Sequence, residues 1–175
     1  LEATIRARAG AILDKLPIGE TFNWVDKVSI ELTTQMLATL FDFPFEDRYK
    51  LTRWSDVVFA RVGEGVIDSI EQRQEELMEC LAYFTKLWKE REDNPVGNDF
   101  ISMMIRGDAT KNLSPQEYLG NILLLIVGGN DTTRNSITGG VLALNQNPDE
   151  YAKLRAQPEL TANMVSEIIR WVTPL

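Results

Sequence analysis

The sequence predicts a mainly α-helical protein, and three observations support this fold class. Prolines and glycines separate the chain into segments of helical length, where they end one helix or begin the next. No segment shows a convincing alternation at the period of two that is typical of β-strands. Apolar residues instead recur at helical spacing, as in the series Trp24, Val28, Leu32, Met36 and Leu40.

Each predicted helix has a boundary signal in the sequence. Pro17 and Gly19 close the first helix, and Pro44 follows the second. Glu46 and Asp47 place negative charge at the start of the third helix, which suits its positive N-terminus. The predicted helices are Leu1–Leu16, Trp24–Phe41, Phe45–Ala60, a long helix from the turn at Gly65 to Arg91, Phe100–Ile105, a helix from Ser114 to Asn147, Pro148–Ala156, and a last helix opened by Pro158.

The composition excludes several classes of protein. A net charge of −8 argues against nucleic acid or an anionic membrane surface as partner. The chain has no histidine, so it lacks the commonest general base and zinc ligand. A lone Cys80 cannot form an internal disulfide, which fits a reducing compartment, and we expect a cytoplasmic protein.

Residues 1–175 are long enough for a single domain, and we expect that domain to be partial. No signal peptide opens the chain, and the longest apolar run, Ile122–Val127, is far too short to span a membrane. The chain begins at Leu1 without methionine and stops at Leu175 directly after a proline. We therefore expect a piece of a longer protein.

The clearest helix start lies at Ser114. Serine caps the helix, Pro115 takes its first position, and Glu117 can reach back to the cap. Nothing stops this helix before Asn147 and Pro148. Roughly 30 helical residues span about 45 Å, so the helix is expected to cross a whole domain.

A polar, glycine-rich stretch interrupts this helix. Ile122–Val127 is apolar on every side and is therefore expected to be buried all round. The stretch Gly128–Thr133 follows at once, and each interior glycine costs about 1 kcal/mol relative to alanine. Leu124, Gly128 and Thr132 lie four residues apart on one stripe, so the glycines are expected to leave a shallow notch with a hydroxyl beside it.

The side chains around the notch suggest chemistry as well as packing. Thr132 can bond the carbonyl of Gly128 and loosen the helix, and Asp131 is a titratable group that burial is expected to perturb. An alcohol and a carboxylate beside a flat notch suit a planar ligand that receives protons. The alternative is that the glycines serve only tight helix packing and that Asp131 forms an ordinary ion pair with Arg134.

A second motif, Glu-x-x-Arg, lies in the last predicted helix. Glu167 falls at the edge of the apolar stripe, and Arg170 lies beside it. A charge pair at a buried margin is costly unless it is fully hydrogen-bonded, so such a pair usually has a fixed partner or a structural role. By itself the motif is common on solvated faces. The apolar stripe comprises Leu160, Met164, Ile168 and Trp171.

Together the two motifs resemble those of the cytochrome P-450 superfamily of haem-thiolate monooxygenases. The resemblance covers the whole chain, which is similar to the stretch from helix D to helix K of that fold. The helix from Ser114 corresponds to its long central I helix, and the last helix to its K helix. The matching residues are Gly128, Gly129, Asp131, Thr132, Thr133, Glu167 and Arg170.

A narrower resemblance is to the bacterial alkane-hydroxylating P-450s, which oxidise terminal carbons of medium-length chains. The segments that carry it are Val25–Pro44, Phe45–Arg48 and Gly129–Ser136. It implies terminal hydroxylation of medium-chain alkanes, with fatty-acid or terpene hydroxylation on the same fold as the alternative.

The resemblance also implies cofactors, partners and residue roles. Haem b would activate dioxygen, with NAD(P)H electrons delivered through a ferredoxin and its reductase. Thr132 would hydrogen-bond the oxygen, and Asp131 would relay protons. The remaining assignments are Gly128, Gly129, Thr132 and Thr133 to cofactor binding, Leu124, Leu125, Val127, Phe59 and Val62 to the substrate pocket, and Glu167 and Arg170 to a structural role.

The sequence departs from the family in one important respect. The iron-ligating cysteine of these enzymes lies in a Phe-x-x-Gly-x-x-x-Cys loop, which this chain lacks. Cys80 has none of those neighbours and is interpreted as a core residue. No metal-binding residue is assigned, because the iron-ligating cysteine is expected to lie outside this chain. The chain alone is expected to bind haem poorly and to be inactive.

Two other functions are compatible with the residues alone. One is a non-enzymatic helical binding domain, in which the glycine helix only packs tightly. The other is an enzyme that uses Asp131 and Thr132 without haem, such as a hydrolase, although no partner base or phosphate loop is visible.

Overall fold

The computed structural model describes residues 1–174, and the mainly α fold class is confirmed. Val62 and Ile67 form an isolated β-bridge, and residues 1–174 contain no strand. None of the helices in this range combines the length and apolar character needed to span a bilayer. The α-helices are α1 (Glu2–Leu13), α2 (Glu31–Phe41), α3 (Tyr49–Phe59), α4 (Ile70–Arg91), α5 (Phe100–Arg106), α6 (Pro115–Gln146), α7 (Pro148–Ala156) and α8 (Thr161–Val172).

Three shorter helical segments refine the predicted boundaries. Val25–Ile30 is π-helical and leads into α2. The helix predicted from Trp24 to Phe41 is therefore unbroken, but its first part is π-helical and its second part α-helical. Phe45–Asp47 and Pro158–Leu160 are 3₁₀ turns that precede α3 and α8.

Backbone contacts divide the chain into two compact units. One consists of Leu1–Thr33 together with the segment from Asp131 onward, and the other is Thr34–Asn130. Both α2 and α6 contribute residues to each unit, because the divisions fall within these helices. The single partial domain expected from the sequence stays a prediction.

The unit Thr34–Asn130 is built around an aromatic core. Phe41 packs edge-on against Phe84 with ring centroids 5.1 Å apart, and Trp54 is buried beside them. The Tyr118 hydroxyl donates to the Phe84 carbonyl at 3.1 Å, which fixes the first turn of α6 against α4. Cys80 is fully buried here, and burial raises the pKa of its thiol, so its interpretation as a core residue is confirmed.

Arg91 ties the end of α4 to two other segments of this unit. Its guanidinium donates to the carbonyls of Phe41 and Asp42 at 2.9 Å and 2.5 Å, and forms an ion pair with Asp99 at 3.0 Å. Asp99 caps α5 by accepting from the Ser102 backbone N–H at 3.0 Å. Burial raises the pKa of Asp99, but the hydrogen bonds from Ser102 and the charge of Arg91 outweigh it, so the pKa lies below its usual value.

In the other unit, the π-helical segment is joined to α6 by a hydroxyl pair. Ser29, which is fully buried, lies 2.9 Å from Thr138 between the two side-chain oxygens. Thr33 donates to the Ser29 carbonyl at 3.1 Å, one of the side-chain bonds that accompany irregular helical geometry.

Candidate functional site

The site is carried by α6, whose start follows the predicted capping box. The Ser114 N–H donates to Glu117 Oε2 at 2.8 Å, and the Glu117 N–H reaches Ser114 Oγ at 3.4 Å. The hydrogen bonds from Ser114 lower the pKa of Glu117. The helix then runs unbroken for 32 residues, so the long central helix is confirmed.

One stripe of α6 is left uncovered by the described residues, 1–174. Leu124 is 72% exposed. A Cβ added at Gly120 or Gly128, one turn before and one turn after Leu124, would meet nothing within 4 Å. These three positions therefore form an open apolar strip that ends in a notch.

This strip corrects the expectation that Ile122–Val127 is buried on all sides. Ile122 and Ile126 are buried in the aromatic core, and Val127 is also buried, whereas Leu124 is exposed. The core covers only one side of the helix, so the apolar residue on the opposite side is left facing outward. Leu125 is half-buried at the edge of the core.

Gly129 has different surroundings from Gly128. A Cβ added there would lie 2.7 Å from Cδ2 of Leu37, a buried residue of α2. The missing side chain thus permits close contact between α6 and α2. Of the two adjacent glycines, Gly128 opens outward and Gly129 serves packing.

The polar residues that follow differ in exposure. Asn130 is fully buried, Asp131 is buried, Thr132 is half-buried and Thr133 is exposed. Asp131 forms an ion pair with Arg134 at 2.8 Å, and the two side chains are only 12% and 18% exposed. The ion pair named as an alternative is therefore present. It fixes the carboxylate of Asp131, the residue that precedes Thr132.

Ser136, which was not among the predicted site residues, adds a hydroxyl one turn beyond Thr132 on α6. Ser136 Oγ donates to the carbonyl of Thr132 at 2.8 Å. The neighbouring Asn135 donates from Nδ2 to the Pro174 carbonyl at 3.1 Å. Ser136 could have been predicted from its spacing, because it lies four residues after Thr132 and so shares the stripe of Gly128 and Thr132.

Thr132 and Ser136 both line an apolar groove of about 530 Å³ between α6 and α8. Its other walls include Ile137, Met164 and Ile168. A polar pair therefore stands at the margin of an apolar cavity, an arrangement typical of ligand sites in which few polar groups orient an apolar molecule.

The two pocket candidates outside α6 lie near the end of α3. Phe59 is the last residue of that helix and is 61% exposed. Val62 is 47% exposed and pairs with Ile67 in the isolated bridge. Both offer apolar surface, and their place in a substrate pocket stays a prediction.

Glu167 and Arg170 form a two-pronged ion pair on α8. Arg170 Nε donates to Glu167 Oε2 at 2.7 Å, and Nη2 donates to Oε1 at 2.5 Å. The hydrogen bond between them lowers the pKa of Glu167 and raises that of Arg170.

The expectation that this pair lies at a buried margin is wrong for the described chain. The side chains of Glu167 and Arg170 are 58% and 66% exposed, because no residue of α8 is buried. Trp171 on the same helix is 64% exposed. The apolar stripe of α8 is thus real but only partly covered.

The described site thus comprises a long helix with an outward-opening glycine, a threonine hydroxyl one turn further on, and a Glu-x-x-Arg ion pair on α8. The chain matches the family described as Cytochrome P450 over residues 13–163. It is 36% identical to a steroid C26-monooxygenase of Mycolicibacterium smegmatis and 30% identical to the linalool 8-monooxygenase of Pseudomonas putida, covering 40% and 43% of these relatives with its full length. The chain belongs to the cytochrome P450 family.

Solved structures agree with this membership. Cytochrome P450-153 from Novosphingobium aromaticivorans is 48% identical, with a TM-score of 0.85 over 99% of this chain and 42% of that one. CYP153D17 from Sphingomonas sp. PAMC 26605 is also 48% identical, with a TM-score of 0.84 over 97% and 42%. The chain therefore spans about two fifths of the length of the proteins it matches.

Proposed function

We propose that the full-length protein is a haem-dependent monooxygenase that inserts one atom of dioxygen into an apolar substrate. The observation that carries this proposal is the open strip of α6, formed by Gly120, Leu124 and Gly128. Thr132 lies in line with it, one turn further along the helix. Membership of the cytochrome P450 family supports it, as do relatives named linalool 8-monooxygenase and steroid C26-monooxygenase.

The residues of the strip fit a flat prosthetic group. The open space around Gly128 allows close approach of a ring, while Gly129 holds α6 against α2 behind it. Thr133, exposed beside the strip, adds a hydroxyl. When bound, haem b supplies the activation of dioxygen and the oxidation of substrate, with electrons from NAD(P)H passed through a ferredoxin and its reductase.

In this proposal the protein contributes hydrogen bonding and proton delivery. Thr132 donates a hydrogen bond at the edge of the apolar groove. Asp131, held by Arg134, passes protons from solvent toward the Thr132 hydroxyl. Glu167 and Arg170 brace α8 through their two-pronged pair and take no part in the chemistry.

For the substrate, we propose medium-chain alkanes hydroxylated at a terminal carbon. The resemblance carried by Val25–Pro44 and Gly129–Ser136 supports this class. The wall would be formed by the apolar residues Leu124, Leu125, Val127, Phe59 and Val62.

The second candidate is hydroxylation of a fatty acid or a terpene on the same fold. Its specific support is the 30% identity to a linalool 8-monooxygenase and the 29% identity to a myxobacterial cytochrome P450, CYP267B1, solved with myristic acid. An apolar groove would accept the hydrocarbon part of any of these molecules. The substrate classes therefore differ in whether the molecule carries a polar group.

The decisive experiment is the absorption spectrum of the reduced, carbon monoxide-bound full-length protein. We expect the Soret band of a thiolate-ligated haem, followed by terminal alcohols as products from medium-chain alkanes with a ferredoxin and its reductase. Absence of that band would refute the monooxygenase proposal. A normal band with turnover of myristic acid or linalool, but not of alkanes, would support the monooxygenase proposal. It would refute alkanes as the substrate class in favour of fatty acids or terpenes.

A further inference from the structure

Ser136 contacts the backbone of the residue on which the proposed chemistry depends. Its hydroxyl donates to the Thr132 carbonyl at 2.8 Å from a half-buried position. In an α-helix this carbonyl is also the acceptor for the Ser136 backbone N–H. The oxygen of Thr132 is thus shared between two donors on one residue.

Sharing of this kind changes the local helix. A serine that bonds back to the carbonyl four residues earlier lengthens the backbone hydrogen bond and bends the helix slightly. The bend falls on the turn that carries the Thr132 side chain. One turn before it, Gly128 has no side chain to fix the direction of the helix on its open side.

The turn after Thr132 is anchored on other sides. Asn135 donates to the Pro174 carbonyl at 3.1 Å, and Thr138 pairs with the buried Ser29 at 2.9 Å. The part of α6 that follows Ser136 is therefore held. The Ser136 hydroxyl connects this held part to the peptide of Thr132.

We propose that Ser136 is a positioning residue, whose hydroxyl sets the direction in which α6 presents the Thr132 side chain. This inference rests on the proposed function, since it assigns Ser136 a role through Thr132. It concerns orientation only: Ser136 lines the groove beside Thr132, but its hydroxyl is bonded to the Thr132 carbonyl.

The test uses the full-length holoenzyme with Ser136→Ala and Ser136→Thr. Alanine removes the donor, whereas threonine keeps a hydroxyl that can bond the same carbonyl. The matched control is Ser166→Ala on α8, because Ser166 Oγ makes the same type of bond to the Ala162 carbonyl at 3.4 Å. Two quantities are measured, hydrogen exchange of the 128–137 segment and hydroxylated product per NAD(P)H consumed.

With Ser136→Ala we expect slower amide exchange in this segment, because the backbone N–H no longer shares its acceptor. We also expect product per NAD(P)H to fall about two- to ten-fold, the factor that corresponds to one net hydrogen bond. Ser136→Thr and Ser166→Ala are expected to match the wild type in both quantities.

The outcomes separate this inference from the function on which it rests. If Thr132→Ala lowers product per NAD(P)H but Ser136→Ala changes neither quantity, the positioning role is overturned and the monooxygenase proposal stands. If Ser136→Thr fails to restore the wild-type values, the hydroxyl is not the cause and the role is likewise overturned. If Thr132→Ala is itself without effect, the proposed role of Thr132 fails first.

Discussion

Gly128 and Gly129 are neighbours in sequence, yet their α-carbons face different surroundings. Gly128 opens on empty space, and Gly129 faces Leu37 of α2. Asp131 and Thr132 also differ, since the carboxylate is engaged by Arg134 while the threonine lines an apolar groove. At the scale of single residues, the site therefore combines positions that serve packing with positions that are open.

The two glycines are expected to respond in opposite ways to alanine. Gly128→Ala should stabilise the fold by up to about 1 kcal/mol, because helical alanine is favoured over glycine and its Cβ meets nothing. Gly129→Ala should destabilise it by about 1–3 kcal/mol, because the buried Leu37 must move. Urea unfolding of residues 1–175, followed by circular dichroism, measures both without the haem that is proposed to approach Gly128.

The matched control for these variants is Gly120→Ala, which also adds a Cβ to open space on the same helix. It should behave like Gly128→Ala in stability. Equal free energies of unfolding for the Gly128 and Gly129 variants would contradict the assignment of separate roles.

Among the helices, the junction between α4 and α5 shows how one side chain fixes several segments. Arg91 joins the ends of α2 and α4 to Asp99, the cap of α5. A helix end with unmet carbonyls needs such donors when it is buried. The packing of α4 and α5 consequently depends on a charged contact as well as on the aromatic core.

This contact predicts a pH dependence of stability. The pKa of Asp99 lies below its usual value in the folded state, so its contribution is complete above about pH 4 and is lost as the pH falls through the folded pKa. Asp99→Asn should lower the free energy of unfolding at pH 7 by about 2 kcal/mol. It should also flatten the loss of stability below pH 4, as measured by urea unfolding across pH, and an unchanged acid slope would contradict the account.

The hydroxyl pair between the π-helical segment and α6 predicts energetic coupling. Ser29→Ala and Thr138→Val each remove one side of a 2.9 Å hydrogen bond. The double variant should be less destabilised than the sum of the single variants by about 1 kcal/mol. Purely additive free energies of unfolding would show that the contact contributes nothing.

The helices themselves were largely predictable, because their signals are local. Ser114 with Glu117, and the prolines at 148 and 158, mark helix starts whatever the rest of the chain does. The π-helical geometry of Val25–Ile30 was not predictable, since the apolar spacing from Trp24 onward is that of an ordinary helix. The exposure of Leu124 was not predictable either, because an apolar sequence does not show which side of a helix is covered.

At the scale of the whole molecule, the chain represents about two fifths of the length of its relatives. Two of its open apolar features, the strip of α6 and the apolar face of α8, are those assigned to haem, substrate and structural bracing. The family motif that would ligate iron is absent from the sequence, and Cys80 is buried in the core.

Residues 1–175 alone are expected not to form a stable haem complex. Cys80 cannot reach a bound group without opening the aromatic core, and burial keeps its thiol protonated by raising its pKa. Titration of the isolated polypeptide with haem should give no thiolate-type Soret band, whereas the full-length protein should give one. A stable thiolate complex of the isolated chain would contradict this account.

The most direct test of the central claim is the share of NAD(P)H electrons recovered in hydroxylated product by full-length Thr132→Ala. The control is Thr39→Ala, which removes a hydroxyl that bonds back to the Gln35 carbonyl at 2.9 Å on α2. The account predicts at least about a ten-fold loss of product per NAD(P)H for Thr132→Ala, since proton transfer by a positioned group typically contributes more than this, and the missing electrons should appear as hydrogen peroxide. Thr39→Ala should match the wild type, and full coupling in Thr132→Ala would contradict the assignment of α6 as the oxygen-handling helix.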